Sequence, residues 1–203
     1  MVSFISSDDF AHSDLEHKVT IRTATLEDAV AIHQVIQAAF SPLVSRGYSK
    51  KAVNRTISKP WKIRDRILSA FLVLVAEIDN EIVGTVTGFE EHDSMRITSL
   101  GVHPLYQKRG IGRELLKTLE SAALENGHHK LFLVTAWAMT EAIQLYRRLG
   151  YHKEGYLRWH YFGEDLVVFS KYLVQEDDNL WSSLNRKRET QHYLWHSSLF
   201  LLH

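Results

Sequence analysis

The stretch SLGVHPLYQKRGIGRELL, residues 99–116, decides how the rest of the chain is interpreted. The residues before Pro104 suit a strand, which proline cannot continue, and an apolar helical pattern begins near Gly110. From Gln107 to Arg113 the stretch holds two glycines, three cations and no carboxylate. Glycine lets the backbone turn sharply, and the first N–H groups of a helix have no partner within the helix. Together with the positive end of the helix dipole, these features predict a site for a phosphate-bearing ligand.

Two common phosphate-binding motifs are excluded by single positions in this stretch. A P-loop needs Lys and then Ser or Thr after its last glycine, whereas Gly112 is followed by Arg113 and Glu114. The dinucleotide-binding fingerprint needs a third glycine where Leu115 stands, and an acidic residue about 20 residues further on. The next predicted strand ends at 134–136 without that acidic residue. The sequence therefore argues against a nucleotide-binding protein of either kind.

Apolar patterns on both sides of this stretch predict a mixed α/β chain. The order is one strand, two helices, three strands, a helix, a strand, a helix and two final strands. The predicted strands cover 19–23, 71–78, 81–89, 95–102, 131–135, 153–161 and 166–173. The predicted helices run from a capping box at Thr25 to Phe40 and over 61–69, 110–125 and 140–149. We expect a central twisted mixed sheet of about six to seven strands flanked by about four helices.

The composition divides the chain into three parts. Residues 1–18 are polar and are expected to be flexible, whereas 19–173 contain all the predicted elements and form the main domain. Residues 174–203 combine short acidic and basic runs with the ending HYLWHSSLFLLH, which predicts a C-terminal tail outside that domain. Within the domain, the polar segment 43–60 carries five cations. It fits either a solvated loop with a short helix or one wall of a pocket for an acceptor substrate.

Charge and cysteine content limit the classes of function. The 203 residues are 45% apolar, and 24 basic side chains balance 24 acidic ones, so nucleic acid or an anionic membrane is not the expected partner. The absence of cysteine excludes disulfides, Cys-ligated zinc and a Cys nucleophile. The first residues lack a signal-peptide pattern, and the longest apolar run, 70–76, is far shorter than the roughly 20 residues of a membrane-spanning helix. We therefore expect a cytoplasmic protein.

The twelve histidines do not form a metal-binding pattern. His128 and His129 are adjacent at a predicted helix end, and His192 and His196 are four residues apart in the tail. Neither pair occurs with a His-Glu-x-x-His pattern or a carboxylate cluster, so no metal site is predicted.

Four segments together resemble the GNAT-type, acetyl-CoA-dependent N-acetyltransferase family. The stretch SLGVHPLYQKRGIGRELL resembles the family's Gln-x-x-Gly-x-Gly acetyl-CoA signature, and TIRTATLEDAVAI resembles its opening strand and helix. EIDNEIVGTVTG is similar to its second and third strands, and AIQLYRRLGYHKEGY to the helix and strand that close the acyl site. All four occur in the family's order across 19–173. The resemblance implies a GNAT-like fold in which two parallel strands splay apart to admit the arm of acetyl-CoA.

The same resemblance implies a cofactor site. The pyrophosphate of acetyl-CoA is expected on the backbone amides of the glycine turn, and strand 98–102 is expected to bind the pantetheine and the acetyl carbonyl. The implied cofactor-binding residues are Leu100, Val102, Gln107, Lys108, Arg109, Gly110, Ile111, Gly112 and Arg113. Strand 131–135 is the expected opposite lip of the gap. Met139 stands where the family often has an asparagine that contacts the cofactor arm, so that contact is not predicted.

The resemblance also implies catalytic residues. Tyr146 matches the tyrosine with which many members protonate the departing thiolate, although its helical spacing also fits a core residue. Some relatives carry a glutamate base on the strand at 95–102, where this chain has no carboxylate. Just upstream lie Glu90, Glu91 and His92, which fit either an exposed strand end or a base that acts through a water. Glu91 is the candidate base.

The resemblance implies an enzyme that moves an acetyl group from acetyl-CoA to a primary amine of a small molecule, peptide or protein. The predicted route is direct attack in a ternary complex, with no metal and no nucleic-acid or membrane partner. The alternative is a non-catalytic acyl-CoA-binding regulatory module, which would keep the glycine turn but release no thiol. Two exposed strands near the C-terminus could pair between subunits, so a homodimer is a further expectation.

Overall fold

A computed structural model describes residues 18–173, and the predictions made for 1–17 and 174–203 lie outside the described residues. The strands are β1 Thr20–Thr23, β2 Leu72–Ile78, β3 Glu81–Glu91, β4 Ser94–Val102, β5 Lys130–Ala136, β6 His152–Tyr161 and β7 Glu164–Tyr172. The α-helices are α1 Ala29–Phe40, α2 Lys50–Thr56, α3 Pro60–Ser69, α4 Ile111–Glu125 and α5 Thr140–Arg148. The mixed α/β class is confirmed, with five helices where the sequence predicts about four. No helix within 18–173 has both the length and the apolar character needed to cross a membrane.

All seven strands form one sheet in the order β1-β2-β3-β4-β5-β7-β6. Neighbouring strands are antiparallel except for β4 and β5, which are parallel. The predicted two-residue turn between β2 and β3 is confirmed, because Asp79 and Asn80 both adopt positive φ, at 51° and 64°. Such turns suit the right-handed twist of a hairpin. β6 lies at one edge of the sheet, and the predicted pairing between subunits stays a prediction.

The side chains of β2 alternate between two cores on opposite faces of the sheet. Leu74 and Ala76 pack in a cluster that includes the buried residues of α4 and α5. Val73 and Val75 pack in a second cluster, with buried residues of α1 and α3. The sheet therefore carries α4 and α5 on one face and α1 and α3 on the other.

The sheet opens between β4 and β5. Their parallel pairing begins with Ser94 opposite Lys130 and ends with Ile97 opposite Leu133. Residues 98–102 and 134–136 do not pair across this boundary, although they belong to strands held on their outer sides by β3 and β7. The splay implied by the family resemblance is therefore confirmed.

A β-bulge lies in β4 directly after the last pair with β5. Between the two pairs that Thr87 and Thr85 of β3 form with β4, β4 contains two residues, 99 and 100, whereas β3 contains one. Ser99 adopts a φ of 54° there. Such a bulge takes backbone groups out of the ladder and turns side chains in a new direction, and it does so here at the edge of the gap.

Candidate functional site

The glycine turn leads from the end of β4 into α4. A short 3-10 helix, Pro104–Tyr106, is followed by Lys108 and Gly110, which have positive φ of 62° and 84°. Gly110 is the N-cap residue of α4, and the N–H of Glu114 donates to its carbonyl oxygen at 3.1 Å. The amides of 111–113 therefore lie in the first turn, where N–H groups have no partner within the helix. This arrangement is suited to binding an anion such as a phosphate.

Gln107 joins this turn to β4. Its side-chain amide donates a hydrogen bond to the carbonyl oxygen of Val102 at 2.9 Å. The cationic side chains of Lys108, Arg109 and Arg113 are exposed around the turn. The guanidinium of Arg109 lies 5.3 Å from the ring centroid of Tyr106, which helps to hold it beside the turn.

A cavity of about 430 Å³ lies at the gap between the two parallel strands. Leu100 from the bulge and Tyr146 from α5 line it, as do Tyr48 and Val53 from the region of α2. The segment 43–60 thus forms one wall of a cavity and also contains the short helix α2. Its role in binding an acceptor stays a prediction.

Tyr146 is both a core residue and a cavity-lining residue. Its ring packs against Tyr151 and Phe169, with centroid separations of 5.8 and 6.2 Å. Burial raises the pKa of the Tyr146 phenol above its ordinary value, so the hydroxyl is protonated at neutral pH. A neutral phenol beside the cavity can donate a proton, and its use as a general acid stays a prediction.

The three upstream candidates for the base lie near the turn between β3 and β4. The carboxylate of Glu91 accepts a hydrogen bond from the guanidinium of Arg96, and it is Arg96 that lines the cavity. Glu90 lies near His128, with Oε1 and Nε2 3.3 Å apart, and His92 occupies the turn itself with a φ of 62°. None of the three candidates is among the residues that line the cavity within 18–173. The role of Glu91 stays a prediction.

Met139, the departure from the family pattern, precedes α5 and lines the cavity. It packs against a small apolar cluster built around Leu43, Tyr48 and Val53. The hydroxyl of Thr135 lies 3.6 Å from its sulfur as a weak donor. Met139 thus adds apolar wall to the cavity where an asparagine would add an amide.

The sequence model of the Acetyltransferase (GNAT) family matches residues 31–151, which is more than half of the chain. The chain belongs to the GNAT family. The matched region contains the glycine turn, both lips of the gap and Tyr146.

Solved structures of other proteins share this GNAT fold. The PaiA N-acetyltransferase of Thermoplasma acidophilum in complex with coenzyme A aligns with a TM-score of 0.67 at 18% identity, over 76% of this chain and 99% of its own. The yncA protein of Salmonella typhimurium with its cofactor acetyl-CoA aligns at 0.63 and 22% identity, over 78% and 96%. The ribosomal-protein-alanine N-acetyltransferase of Brucella melitensis aligns at 0.62 and 25% identity, over 75% and 99%.

Sequence reasoning missed several polar residues of the cavity. Glu164 and His160, at and before the start of β7, line it together with Tyr48 and Thr98. The hydroxyls of Tyr48 and Thr98 are buried without a hydrogen-bond partner among the described residues. Glu164 and His160 lie beyond residue 151, outside the region that the GNAT model matches. The one sequence feature that could have indicated these residues is a carboxylate near the turn between β6 and β7, and such a residue is too common to identify a site.

Within the part of the chain that the structure describes, no group of three or more His, Cys, Asp or Glu side chains is placed to hold a metal ion.

Proposed function

We propose that this GNAT protein is an N-acetyltransferase that moves an acetyl group from acetyl-CoA to a primary amine of a small molecule, peptide or protein. The proposal rests on the gap between β4 and β5. The end of β4, which leads to the glycine turn, borders this gap, and so does the cavity that Tyr146 lines. One opening would thus have a turn suited to binding an anion on one side and a group able to donate a proton on the other.

The donor site rests on the turn and on the bulged strand. The amides of 111–113 and the cations Lys108, Arg109 and Arg113 would bind the pyrophosphate of acetyl-CoA. The backbone of β4 near Leu100 and Val102 would bind the pantetheine arm and the acetyl carbonyl. The PaiA and yncA proteins were solved with coenzyme A and acetyl-CoA, respectively, which supports this donor.

The reaction itself is an acyl transfer. The neutral amine attacks the thioester carbonyl, so that a C–N bond forms and the C–S bond breaks. A backbone N–H of the bulged strand at Leu100 would stabilise the oxyanion that develops on the carbonyl oxygen. Tyr146 would give its proton to the departing thiolate and recover one from the nitrogen of the new amide. Because the chain has no cysteine, direct attack in a ternary complex is the simplest route.

The first test is a thermal-shift measurement with acetyl-CoA, CoA, ATP and NAD, followed on the same sample by thiol release against a panel of amines and peptides. We expect stabilisation by the two CoA ligands alone and thiol release with at least one amine. Stabilisation without thiol release from any acceptor would favour the non-catalytic acyl-CoA-binding module. Absence of a shift with either CoA ligand would refute the donor site.

A further inference from the structure

The cavity holds one carboxylate among its lining residues in the described chain, that of Glu164. The backbone N–H of Ser49 donates to its Oε1 at 2.7 Å. Ser49 is the N-cap residue of α2 and accepts a hydrogen bond from the N–H of Ala52 at 3.3 Å. The capping hydrogen bond therefore holds Ser49 in place at the start of α2, and the N–H of Ser49 in turn positions one oxygen of the Glu164 carboxylate. Within 18–173 no hydrogen bond to Oε2 is found, so this oxygen is open to a donor from solvent or from a ligand.

Two hydroxyls of the same cavity lack partners. Tyr48 Oη and Thr98 Oγ1 are buried without a hydrogen bond within the described residues. Leaving a buried polar group unpaired is destabilising. Burial raises the pKa of Tyr48, the charge of Arg46 opposes that rise, and the carboxylate of Glu164 adds to it. Tyr48 directly precedes Ser49, whose N–H donates to Glu164, so the phenol and the carboxylate line the same part of the cavity. Thr98 directly follows the last residue of β4 that pairs with β5, so it lies at the apex of the gap.

Three arginines near the cavity already have partners. Arg96 is paired with Glu91, and Arg46 with Glu141 at 3.0 Å. Arg66 donates to the hydroxyls of Ser99 and Ser58 at 2.7 and 2.8 Å. Glu164 forms no ion pair with any residue in the range 18–173. A carboxylate in this setting attracts a cation, and a primary alkyl amine arrives as one, because its ammonium form predominates at neutral pH.

We propose that Glu164 receives the ammonium group of the acceptor and takes its proton, while Tyr48 and Thr98 hydrogen-bond polar atoms beside the amine. This inference rests on the proposed acetyltransferase function and names the acceptor class. The acceptor is a basic alkyl amine with a hydroxyl or carbonyl oxygen a few bonds from its nitrogen.

The step balances in protons and bonds. The ammonium loses one proton to Glu164 and becomes the neutral nucleophile, which forms the C–N bond as the C–S bond breaks. Tyr146 protonates the thiolate and is reprotonated by the amide nitrogen. Glu164 then releases its proton to solvent, so the net products are the amide, CoA thiol and one proton.

His160 is the other titratable side chain on this wall of the cavity. A neutral imidazole can accept a proton, but it does not attract an ammonium ion as a carboxylate does. No hydrogen bond within 18–173 orients the ring of His160, whereas the N–H of Ser49 donates to the carboxylate of Glu164. These differences favour Glu164, and the experiment compares the two.

The test measures thiol release by wild type, Glu164→Gln, His160→Gln and Glu91→Gln, with the affinity for acetyl-CoA measured on each. Glu81→Gln, an exposed change at the start of β3, is the matched control. We expect Glu164→Gln to lower kcat/KM for the best alkyl amine by roughly 100-fold or more and to leave acetyl-CoA affinity unchanged. A weakly basic alkyl amine such as trifluoroethylamine, which is neutral at pH 7, should lose far less. The glutamine can still accept from the Ser49 N–H, so the fold is retained.

Equal losses for the basic and the weakly basic acceptor would overturn the assignment, because a base matters only where a proton must be removed. Full activity of Glu164→Gln, or the amine-dependent loss appearing in His160→Gln or Glu91→Gln instead, would overturn it too. Each of these outcomes requires an active wild type. A wild type that releases no thiol with any acceptor would instead contradict the proposed function.

Tyr48→Phe and Thr98→Val provide a second readout. If the two hydroxyls serve the acceptor, their removal should raise its KM about tenfold, while the melting temperature stays equal or rises because an unpaired buried group is gone. A lowered melting temperature with unchanged KM would show that they are structural groups and would remove them from the acceptor site.

Discussion

The side-chain amide of Gln107 donates to the carbonyl oxygen of Val102, and this bond ties the glycine turn to the last residue of β4. The residue that resembles the first position of the family's signature thus acts on the protein backbone. It holds the start of α4 against the strand that borders the gap. One hydrogen bond of 2.9 Å therefore joins the turn proposed to bind the phosphates to the strand proposed to bind the acyl group.

Gln107→Glu should weaken acetyl-CoA binding. The carboxylate cannot donate to the Val102 carbonyl, and it adds a negative charge beside a phosphate. A loss of roughly 1.5–3 kcal/mol, or about 10- to 100-fold in Kd, is expected by titration calorimetry. Gln34→Glu is the matched control, since Gln34 is exposed on α1, on the opposite face from α4. An unchanged Kd for Gln107→Glu would show that the bond does not matter for binding.

Replacing Arg109 and Arg113 together by glutamate should weaken acetyl-CoA binding at least tenfold and reduce its salt dependence. Both cations are exposed around the turn, so their attraction for phosphate is screened by salt. Kd is measured at low and high ionic strength. The Lys62→Glu, Arg64→Glu pair on α3 makes the same change in net charge on the other face. If this pair has an equal effect, the cause is net charge and the phosphate assignment fails.

Tyr146→Phe should lower kcat by roughly 100-fold or more and leave the Kd for acetyl-CoA nearly unchanged. The ring keeps its contacts with Tyr151 and Phe169, so the fold is preserved. Tyr151→Phe is the control, because Tyr151 is also buried but belongs to the core away from the cavity lining. Similar rates for Tyr146→Phe and wild type would remove Tyr146 from the mechanism.

Gly88→Ala should destabilise the fold. A Cβ at Gly88 would lie 2.6 Å from the sulfur of Met95 and 2.9 Å from a methyl carbon of Leu119, both of which are fully buried. Such overpacking costs typically about 1–3 kcal/mol in the free energy of unfolding, measured with urea. Gly155→Ala on β6 is the control, since the nearest atom to its Cβ would be 3.5 Å away. Equal stabilities for the two variants would contradict the close packing of α4 on β3.

Asp28 should contribute stability that disappears in acid. Hydrogen bonds from the Arg22 guanidinium, and secondarily from the Thr25 N–H, hold the pKa of Asp28 below its ordinary value despite partial burial. Because the pKa of Asp28 is lower in the folded protein than in the unfolded chain, its carboxylate stabilises the fold at pH values above the unfolded pKa of about 3.9. This contribution is lost as the pH falls through the lower pKa of the folded state. Asp28→Asn should therefore be less stable than wild type by about 1 kcal/mol from pH 5 to 7.

Urea unfolding at pH 7, 5, 4 and 3 tests this prediction for Asp28. The difference between wild type and Asp28→Asn should shrink at the two lowest pH values. Asp65→Asn, an exposed change on α3, should show no such dependence. A difference that is constant with pH would mean that the charge of Asp28 is not the cause.

Local patterns predicted the strands, the hairpin turn at Asp79 and Asn80 and the glycine turn, because each depends on residues that are close in sequence. The cavity depends on residues that are far apart. Ser49 and Glu164 meet through a single hydrogen bond although 115 positions separate them. The bulge at Ser99 is set by how β4 is held between β3 and the gap, and a single strand sequence does not record it. The acceptor side of the site could therefore not be predicted from the sequence.

The opening between β4 and β5 would also determine how the proposed enzyme can be inhibited. It interrupts a sheet that has α4 on one face and α1 on the other, and the cavity at this opening is lined by residues of both α2 and α5. A compound that joins coenzyme A to an amine-bearing group by a short linker would pass through this opening in the sheet. Once one half is bound, the other half would bind at an effective concentration that the linker sets, which is about a millimolar for a short flexible linker. The opening itself would select for linker length, because only a chain that spans it can occupy both ends.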